Sequence, residues 1–296
     1  MQVGSRRGLV NPESGTADHA EYVRRRLEAR GFAVQETESK EHAVDLARAA
    51  GRDGVSTLAV CGGDGTVNDV LRGLYDADAL GDVTLAVVPG GTANLLAGTL
   101  DIRDIDHGIE VADTGPVETV DVGVAGDEPF VVSAVGGLPA NASTAASDEL
   151  KSRFGTLAFL VSGARETLAF DPLDIRVSTD DDVVFEGSAL SVLVGNARKF
   201  VEEGGQAAMA DGQFDVAVVE EMPPASAVAE AAVHRLLAQG TDGVTHLHAE
   251  SVTIEGTEPV TFSLDGELTR RERLSLSVLP RTLSLRVGDG YDPNPP

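Results

Sequence analysis

Three glycine-rich turns, each placed where a short apolar run ends and a helical run begins, constrain this chain more than any other feature. They are Asn11-Pro12-Glu13-Ser14-Gly15, Gly62-Gly63-Asp64-Gly65-Thr66-Val67-Asn68 and Pro89-Gly90-Gly91-Thr92-Ala93-Asn94. Leu9 and Val10 lead into the first. Asp18 to Arg30 then reads as an amphipathic helix stopped by Gly31, Ala33 to Thr37 as a strand and Glu41 to Ala50 as a helix. Ser56 to Cys61 is a buried strand running into the second turn, followed by a helix from about Val67 to Tyr75. Strand Thr84 to Val88 leads into the third turn, and a helix lies near Ala93 to Thr99. Strands alternating with helices imply a doubly wound α/β domain with a parallel sheet covered on both faces. Such sheets bind phosphate ligands at the carboxyl ends of their strands, where these turns fall.

After about Pro116 the rhythm changes. Val117 to Val124, Pro129 to Val135, Asp174 to Thr179, Val183 to Gly195, Phe214 to Val219, Val244 to Glu255, Val260 to Leu264, Arg273 to Val278 and Thr282 to Val287 all read as strands. Only Leu157 to Phe170 and Ala225 to Gln239 read as helices between them. Strands joined by short turns predict an antiparallel, sandwich-like second domain over 117–279, after a first domain over 1–116. The whole chain of 296 residues is long enough for both.

Composition narrows the partners. The formal net charge is −25, and three of the 23 basic residues are lysines, Lys40, Lys151 and Lys199. Phosphate backbones need a basic surface to release counterions, so nucleic acid is excluded as a partner. The densest basic run, Arg24 to Arg26, reads as the solvated face of a helix. Few lysines, many carboxylates and no Trp fit a protein built for high intracellular salt, where a Debye length of about 3 Å near 1 M removes most self-repulsion. The single cysteine, Cys61, forms no internal disulfide, and no apolar run approaches the roughly 18 residues of a membrane span. A cytoplasmic protein is expected, touching membranes only peripherally, with a homodimer as the default assembly.

The second turn carries the strongest chemistry. Glycines there bring backbone N–H groups close to a polyphosphate whose charge the following helix N-terminus favours. Asp64 inside an anion cradle makes sense if it holds Mg²⁺, or water, that the phosphates share; the plain alternative is a helix N-cap. In the third turn Gly91 gives backbone access, and Thr92 and Asn94 offer a hydroxyl and an amide to phosphate or ribose. Late in the chain, Asp265-Gly266 after the apolar VTFSL suits a carboxylate displayed at a turn, and equally a plain two-residue hairpin. His246 and His248 alternate on one strand face and read as a solvent-facing pair rather than a zinc site.

NPESG, GGDGTVND and PGGTANLLA, followed by VGNARKFVEEGG (194–205), ADGQFDV (210–216) and SLDGE (263–267), make the chain resemble the diacylglycerol kinase catalytic-domain family of lipid kinases. GGDGT alone also occurs in NAD kinases; the later segments select the lipid kinases. The resemblance implies an amino-terminal ATP-binding domain to which the chain returns over 280–296, a β-rich lipid domain, and ATP bound in the cleft between them. It implies nucleotide contacts at Asn11, Thr37, Gly62, Gly63, Asp64, Gly65, Thr66, Val67, Asn68 and Thr92, with Glu267 beside the nucleotide. Asp265 matches the proton acceptor for the lipid hydroxyl. Ala208, Asp211 and Gln213, with Asp215 as a further candidate, match a structural Mg²⁺ site held partly by backbone carbonyls. The expected activity is ATP- and Mg²⁺-dependent phosphorylation of a lipid alcohol, a diacylglycerol or an isoprenoid ether glycerol.

Two departures accompany the resemblance. Leu95 stands where many relatives carry an Asp that joins Asp64 and a further aspartate, here Asp121, in a water-linked Mg²⁺ network. Either another carboxylate substitutes or metal binding and activity are weaker. The basic residue that often follows NPxSG is replaced by Thr16-Ala17-Asp18. The alternatives are an NAD kinase-like enzyme with a soluble substrate, against which the chain lacks the Asn-Glu pair of such enzymes, and a nucleotide-binding regulator of weak activity.

Overall fold

Short apolar runs separated by amphipathic segments become parallel strands covered by helices in the first part of the chain. A computed structural model describes residues 5–15, 19–137, 172–179, 182–199, 205–220 and 243–295. The two helices expected at Leu157 to Phe170 and Ala225 to Gln239 lie outside these residues. The chain divides into two units: one comprises 1–122, 128–131 and 279–296, the other 123–127 and 132–278.

The first unit opens with β1 (Arg6–Val10), α1 (Ala20–Glu28), β2 (Ala33–Glu36), α2 (Lys40–Arg52), β3 (Thr57–Gly62), α3 (Asp64–Asp76) and β4 (Thr84–Pro89). α4 (Leu95–Thr99) and α5 (Ile105–Thr114) follow. β1 pairs in parallel with both β2 and β3, and β3 with β4, giving the order 2-1-3-4. β1 therefore sits where the strand order reverses, and the crevice beyond the carboxyl ends of β1 and β3 is the switch point where such sheets bind ligands. Side chains alternate across β3: Ala59 and Cys61 join Val10, Val23, Leu27, Ala86, Val88 and Ile109 in a buried cluster under α1 and α5. α2 and α3 pack on each other, where a Cβ at Gly73 would fall 2.3 Å from the Val44 carbonyl oxygen. The Arg24–Arg26 run lies on α1: Arg24 pairs with Glu21 and Glu28 and Arg25 with Glu21 on the solvated side, while Arg26 turns toward Asp106.

Two helix boundaries depart from expectation. α3 starts at Asp64, not Val67, because extended Gly63 (φ −84°, ψ 179°) serves as its N-cap and the rest of the turn is already helical. α5 was not expected at all; its start is fixed by Asp104, whose side chain accepts from the His107 N–H at 2.8 Å.

The chain continues through β5 (Val117–Ala125), β6 (Glu128–Phe130), β7 (Ser133–Gly137), β8 (Leu173–Thr179), β9 (Asp182–Gly195), β10 (Arg198–Lys199), β11 (Gly205–Gln206), β12 (Phe214–Glu220), β13 (Val244–Ala249), β14 (Ser251–Leu264) and β15 (Glu267–Arg286). Within the second unit β7 pairs with β9 and β14, β9 with β8 and β12, and β12 with β13, all antiparallel. Phe262 on β14 packs so closely over Gly136 that a Cβ there would meet its ring at 2.8 Å.

Some segments read as separate strands fuse into longer ones, while Val244 to Glu255 divides at Glu250 between β13 and β14 and Pro129 to Val135 divides at Val131 and Val132 between β6 and β7. β14 runs through Gly256 to Pro259 because a register shift between Glu255 and Val260 absorbs the irregularity. β15 runs through Pro280, and its distal end, within the first unit, lies parallel to β4 at Leu285↔Leu85. Left-handed Arg281 (φ 50°) marks the irregularity, and its N–H donates to Asp121 Oδ1 at 2.6 Å.

Candidate functional site

In the first unit the three turns meet as backbone. The Asn11 N–H donates to the Cys61 carbonyl and the Gly90 N–H to the Gly62 carbonyl, both at 2.9 Å, so the loops leaving β1, β3 and β4 are tied side by side. A Cβ on Gly91 would lie 2.4 Å from the Gly63 Cα, and one on Gly15 (φ 57°) would lie 2.4 Å from the Gly90 carbonyl oxygen. Neither position accepts a side chain without moving main chain. Thr37 is buried just past β2, its N–H donating to the Val10 carbonyl at 2.9 Å, and so flanks the same edge.

Side chains brace this backbone surface. Asn11 Nδ2 donates to Thr66 Oγ1 at 2.8 Å, joining the first turn to α3. Asp64 is the first helical residue rather than a cap, and its Oδ1 accepts the Leu96 N–H at 3.2 Å, joining the second turn to α4. Asn94, in the left-handed region (φ 47°), accepts from the Gly91 N–H at 2.9 Å and donates to the Gly91 carbonyl at 2.8 Å. Its amide therefore shapes its own turn. Thr92 is exposed at the tip of that turn.

Gly63 caps α3 without any side-chain hydrogen bond, and its carbonyl accepts the Val67 N–H at 3.1 Å, so the first-turn N–H groups of Asp64, Gly65 and Thr66 lie ahead of the helical ladder at the positive end of the helix dipole. Asn68 Oδ1 is buried without a hydrogen-bond partner, an acceptor that suits a ligand donor. The arrangement can hold a phosphate chain.

Asp121 is 0% exposed, and its Oδ1 accepts the Arg281 N–H where β15 passes Pro280, which gives it a structural role. Leu95 is 45% exposed at the start of α4 and offers no ligand atom there.

In the second unit Asp265 (φ 47°) and Gly266 (φ 98°) form a two-residue turn between β14 and β15, closed by the pair Leu264↔Glu267. The hairpin reading of Asp265-Gly266 is borne out. Asp265 Oδ1 accepts from the N–H groups of Val132 at 2.9 Å and Ser133 at 2.8 Å, and its own N–H donates to the Ser133 carbonyl at 3.0 Å. The Val132 carbonyl in turn accepts from Asn196 and Ala197, so the VGNAR and SLDGE segments converge on one residue that neither contains. Two N–H donors on one oxygen fix the carboxylate's direction. Glu267 is half-buried at the first position of β15.

Of the expected Mg²⁺ loop, Asp211 Oδ1 accepts the Gln213 N–H at 3.0 Å around Gly212 (φ 79°), and Ala208 lies half-buried just before it. Asp215 faces elsewhere: it is 4% exposed, and its Oδ2 lies 3.0 Å from His246 Nε2 and 3.6 Å from His248 Nε2. Those nitrogen neighbours suit Mg²⁺ poorly and remove Asp215 from that loop. The two histidines are not merely solvent-facing. Sequence could have found this only through the β12–β13 register, which sets Asp215 opposite His248. Also missed was His19, buried against Ser14 Oγ at 3.2 Å behind the first and third turns.

The chain thus joins an α/β sheet with glycine turns at its switch point to an antiparallel β domain in which two N–H groups fix the Asp265 carboxylate. The sequence matches the diacylglycerol kinase catalytic domain over residues 8–125 and the YegS C-terminal NAD kinase beta sandwich-like domain over 131–287. A Salmonella typhimurium protein named "Probable lipid kinase YegS" is 30% identical over 257 residues, 82% of this chain and 81% of its own. The solved structure of a diacylglycerol kinase from Bacillus anthracis str. Sterne superposes with TM-score 0.71 at 21% identity, over 99% of this chain and 100% of that one. An NAD kinase from Archaeoglobus fulgidus in complex with ATP does so with TM-score 0.56 at 10% identity, over 97% and 95%. At these identities the structural likeness shows the fold alone. The chain belongs to the diacylglycerol kinase family of lipid kinases, with a YegS-type C-terminal domain. Its fold class is an NAD kinase-like α/β domain followed by an antiparallel β-sandwich-like domain. Among the described residues no helix is long and apolar enough to cross a membrane.

Proposed function

We propose that the protein transfers the γ-phosphoryl group of ATP, with Mg²⁺, to the hydroxyl of a lipid alcohol, a diacylglycerol or an isoprenoid ether glycerol. The observation that carries this reading is the close backbone approach of Gly63 and Gly91, which gives the turns after β3 and β4 a joint surface of main chain that suits a ligand rich in acceptors. Gly62 to Val67 and Thr92 bind the phosphates, Asn11 and Thr37 hold the edge of that surface, and the Asn68 acceptor takes a nucleotide donor.

Mg²⁺ would be held through Asp64 and would neutralise charge on the phosphates. Asp265 takes the proton from the acceptor hydroxyl as that oxygen bonds to the γ-phosphorus and the bond to the β–γ bridging oxygen breaks, releasing ADP. Because one carboxylate oxygen is fixed by Val132 and Ser133, the base arrives oriented rather than searching rotamers. Glu267 stands beside the nucleotide. Ala208, Asp211 and Gln213 would hold a structural Mg²⁺ at the turn of left-handed Gly212. The protein meets its substrate peripherally, from the cytoplasm, as a homodimer.

The test is incubation with γ-labelled ATP, Mg²⁺ and fractionated lipids in molar KCl. Label is expected in a phosphorylated glycerolipid fraction and not in NAD. Label in NAD with none in lipid, or nucleotide binding with no transfer to either, would replace this reading by one of the alternatives.

A further inference from the structure

Where β12 and β13 pair, three side chains that the kinase reaction does not use point at one spot. The antiparallel register sets Asp215 directly across from His248 and Ala217 across from His246, so Asp215, His246 and His248 emerge from the same face. Asp215 Oδ2 lies 3.0 Å from His246 Nε2 and 3.6 Å from His248 Nε2, and the ligand atoms of all three lie within 4.8 Å of one another. Two ligands around one tetrahedral zinc ion stand a little over 3 Å apart, given bonds of about 2.0–2.1 Å to nitrogen and oxygen. The donors are thus already near the spacing that a common ion imposes. The imidazoles meet edge to face with centroids 5.3 Å apart, and the Nε2 of each lies toward Asp215 Oδ2.

We infer that Asp215, His246 and His248 form a binding site for a divalent transition-metal ion of the zinc class. Two nitrogens and one carboxylate oxygen match the preferences of zinc and its first-row neighbours, whereas Mg²⁺ demands oxygen ligands. The site is therefore chemically distinct from the Ala208–Gln213 loop. A buried carboxylate fixes one corner, at 4% exposure, while His248 is 50% exposed, so the fourth position opens to water or an exogenous ligand. An ion there would tie β13 onto β12 across two residues of one strand and one of the other. Its effect would be to stabilise the pairing, with no part in phosphoryl transfer.

The experiment is equilibrium dialysis of the tag-free full chain against micromolar Zn²⁺ in molar KCl with millimolar Mg²⁺, followed by metal quantitation and a thermal melt. Wild type is expected to hold one zinc more per chain than His248→Gln, whose half-exposed position tolerates the change, and to weaken by roughly 10–100-fold or more on that substitution. Zinc should raise the melting temperature of wild type and leave that of His248→Gln unchanged. Asp211→Asn should take up zinc like wild type. Four other histidines remain in every variant, so adventitious binding to them cancels in the difference. Equal zinc uptake by wild type, His246→Gln and His248→Gln, or loss of the zinc to millimolar Mg²⁺, would overturn the site.

Discussion

In the first unit the proposed binding surface is backbone: Gly63 faces Gly91 with no room for a methyl group, and the residues that brace them, Asn11, Asp64 and Asn94, mostly hold loops to one another. In the second unit the proposed functional groups are side chains, Asp265 and the Asp215–His246–His248 cluster, positioned by strands distant in sequence. The difference follows from the tasks. A phosphate chain is recognised by many weak N–H donors that a glycine turn supplies within a few residues, whereas proton transfer needs one group with a fixed direction. The first kind of site should therefore fail when a side chain is added, and the second when a single atom is changed.

The largest effect is expected at Asp265. Asp265→Asn keeps an oxygen for the Val132 and Ser133 N–H groups, and Asn tolerates the left-handed backbone, so the hairpin should survive. Loss of the base should lower kcat by about 10²–10⁴-fold, read from labelled transfer to lipid. A rate near wild type would make Asp265 a turn residue only.

Next comes Gly91→Val, which must push the Gly63 Cα aside and should cost about 1–3 kcal/mol, measured by denaturant unfolding. Gly98→Ala is the matched control: no atom lies within 4 Å of its added Cβ, and it should be neutral or stabilising by up to about 1 kcal/mol. Equal destabilisation by the two would show that the turn contact carries no special constraint.

A severalfold effect is expected from salt. The charge of −25 repels anionic vesicles, and activity on them should rise as KCl goes from about 0.1 M to about 1 M and the screening length shrinks. A steady fall would detach the acidic composition from membrane encounter.

The smallest effect concerns Cys61. Burial pushes its thiol from an ordinary 9.0 up to about 12, so the folded state holds the proton more tightly than the unfolded one. The stability this contributes is fully present below pH 9.0 and is lost as pH rises toward about 12. The native thiol should resist iodoacetamide near neutral pH and react after denaturation; prompt native labelling would mean that the cradle opens.

The same contrast explains what could be read in advance. The glycine turns are contiguous, so GGDGT and PGGTAN stand out as candidate phosphate loops, and the period-2 and period-3.6 patterns around them give the α/β order. α5 escaped because its cap, Asp104, stands in a short polar stretch with no glycine to announce it. β14 and β15 were broken in two because glycine and proline mark ends in isolation, while a register shift and the Asp121 acceptor carry these strands through. The roles of Asp121, Asp215 and His246 depend on partners 31 to 160 positions away, which local spacing does not encode.

ATP affinity, titrated calorimetrically on Gly91→Val and Asp265→Asn side by side, tests the division between the two regions most directly. If the backbone surface of the first unit binds the nucleotide and Asp265 serves only the proton, Asp265→Asn will bind within about twofold of wild type and Gly91→Val will lose about 100-fold or more, roughly 2.7 kcal/mol. A large loss in Asp265→Asn, or wild-type affinity in Gly91→Val, would contradict it.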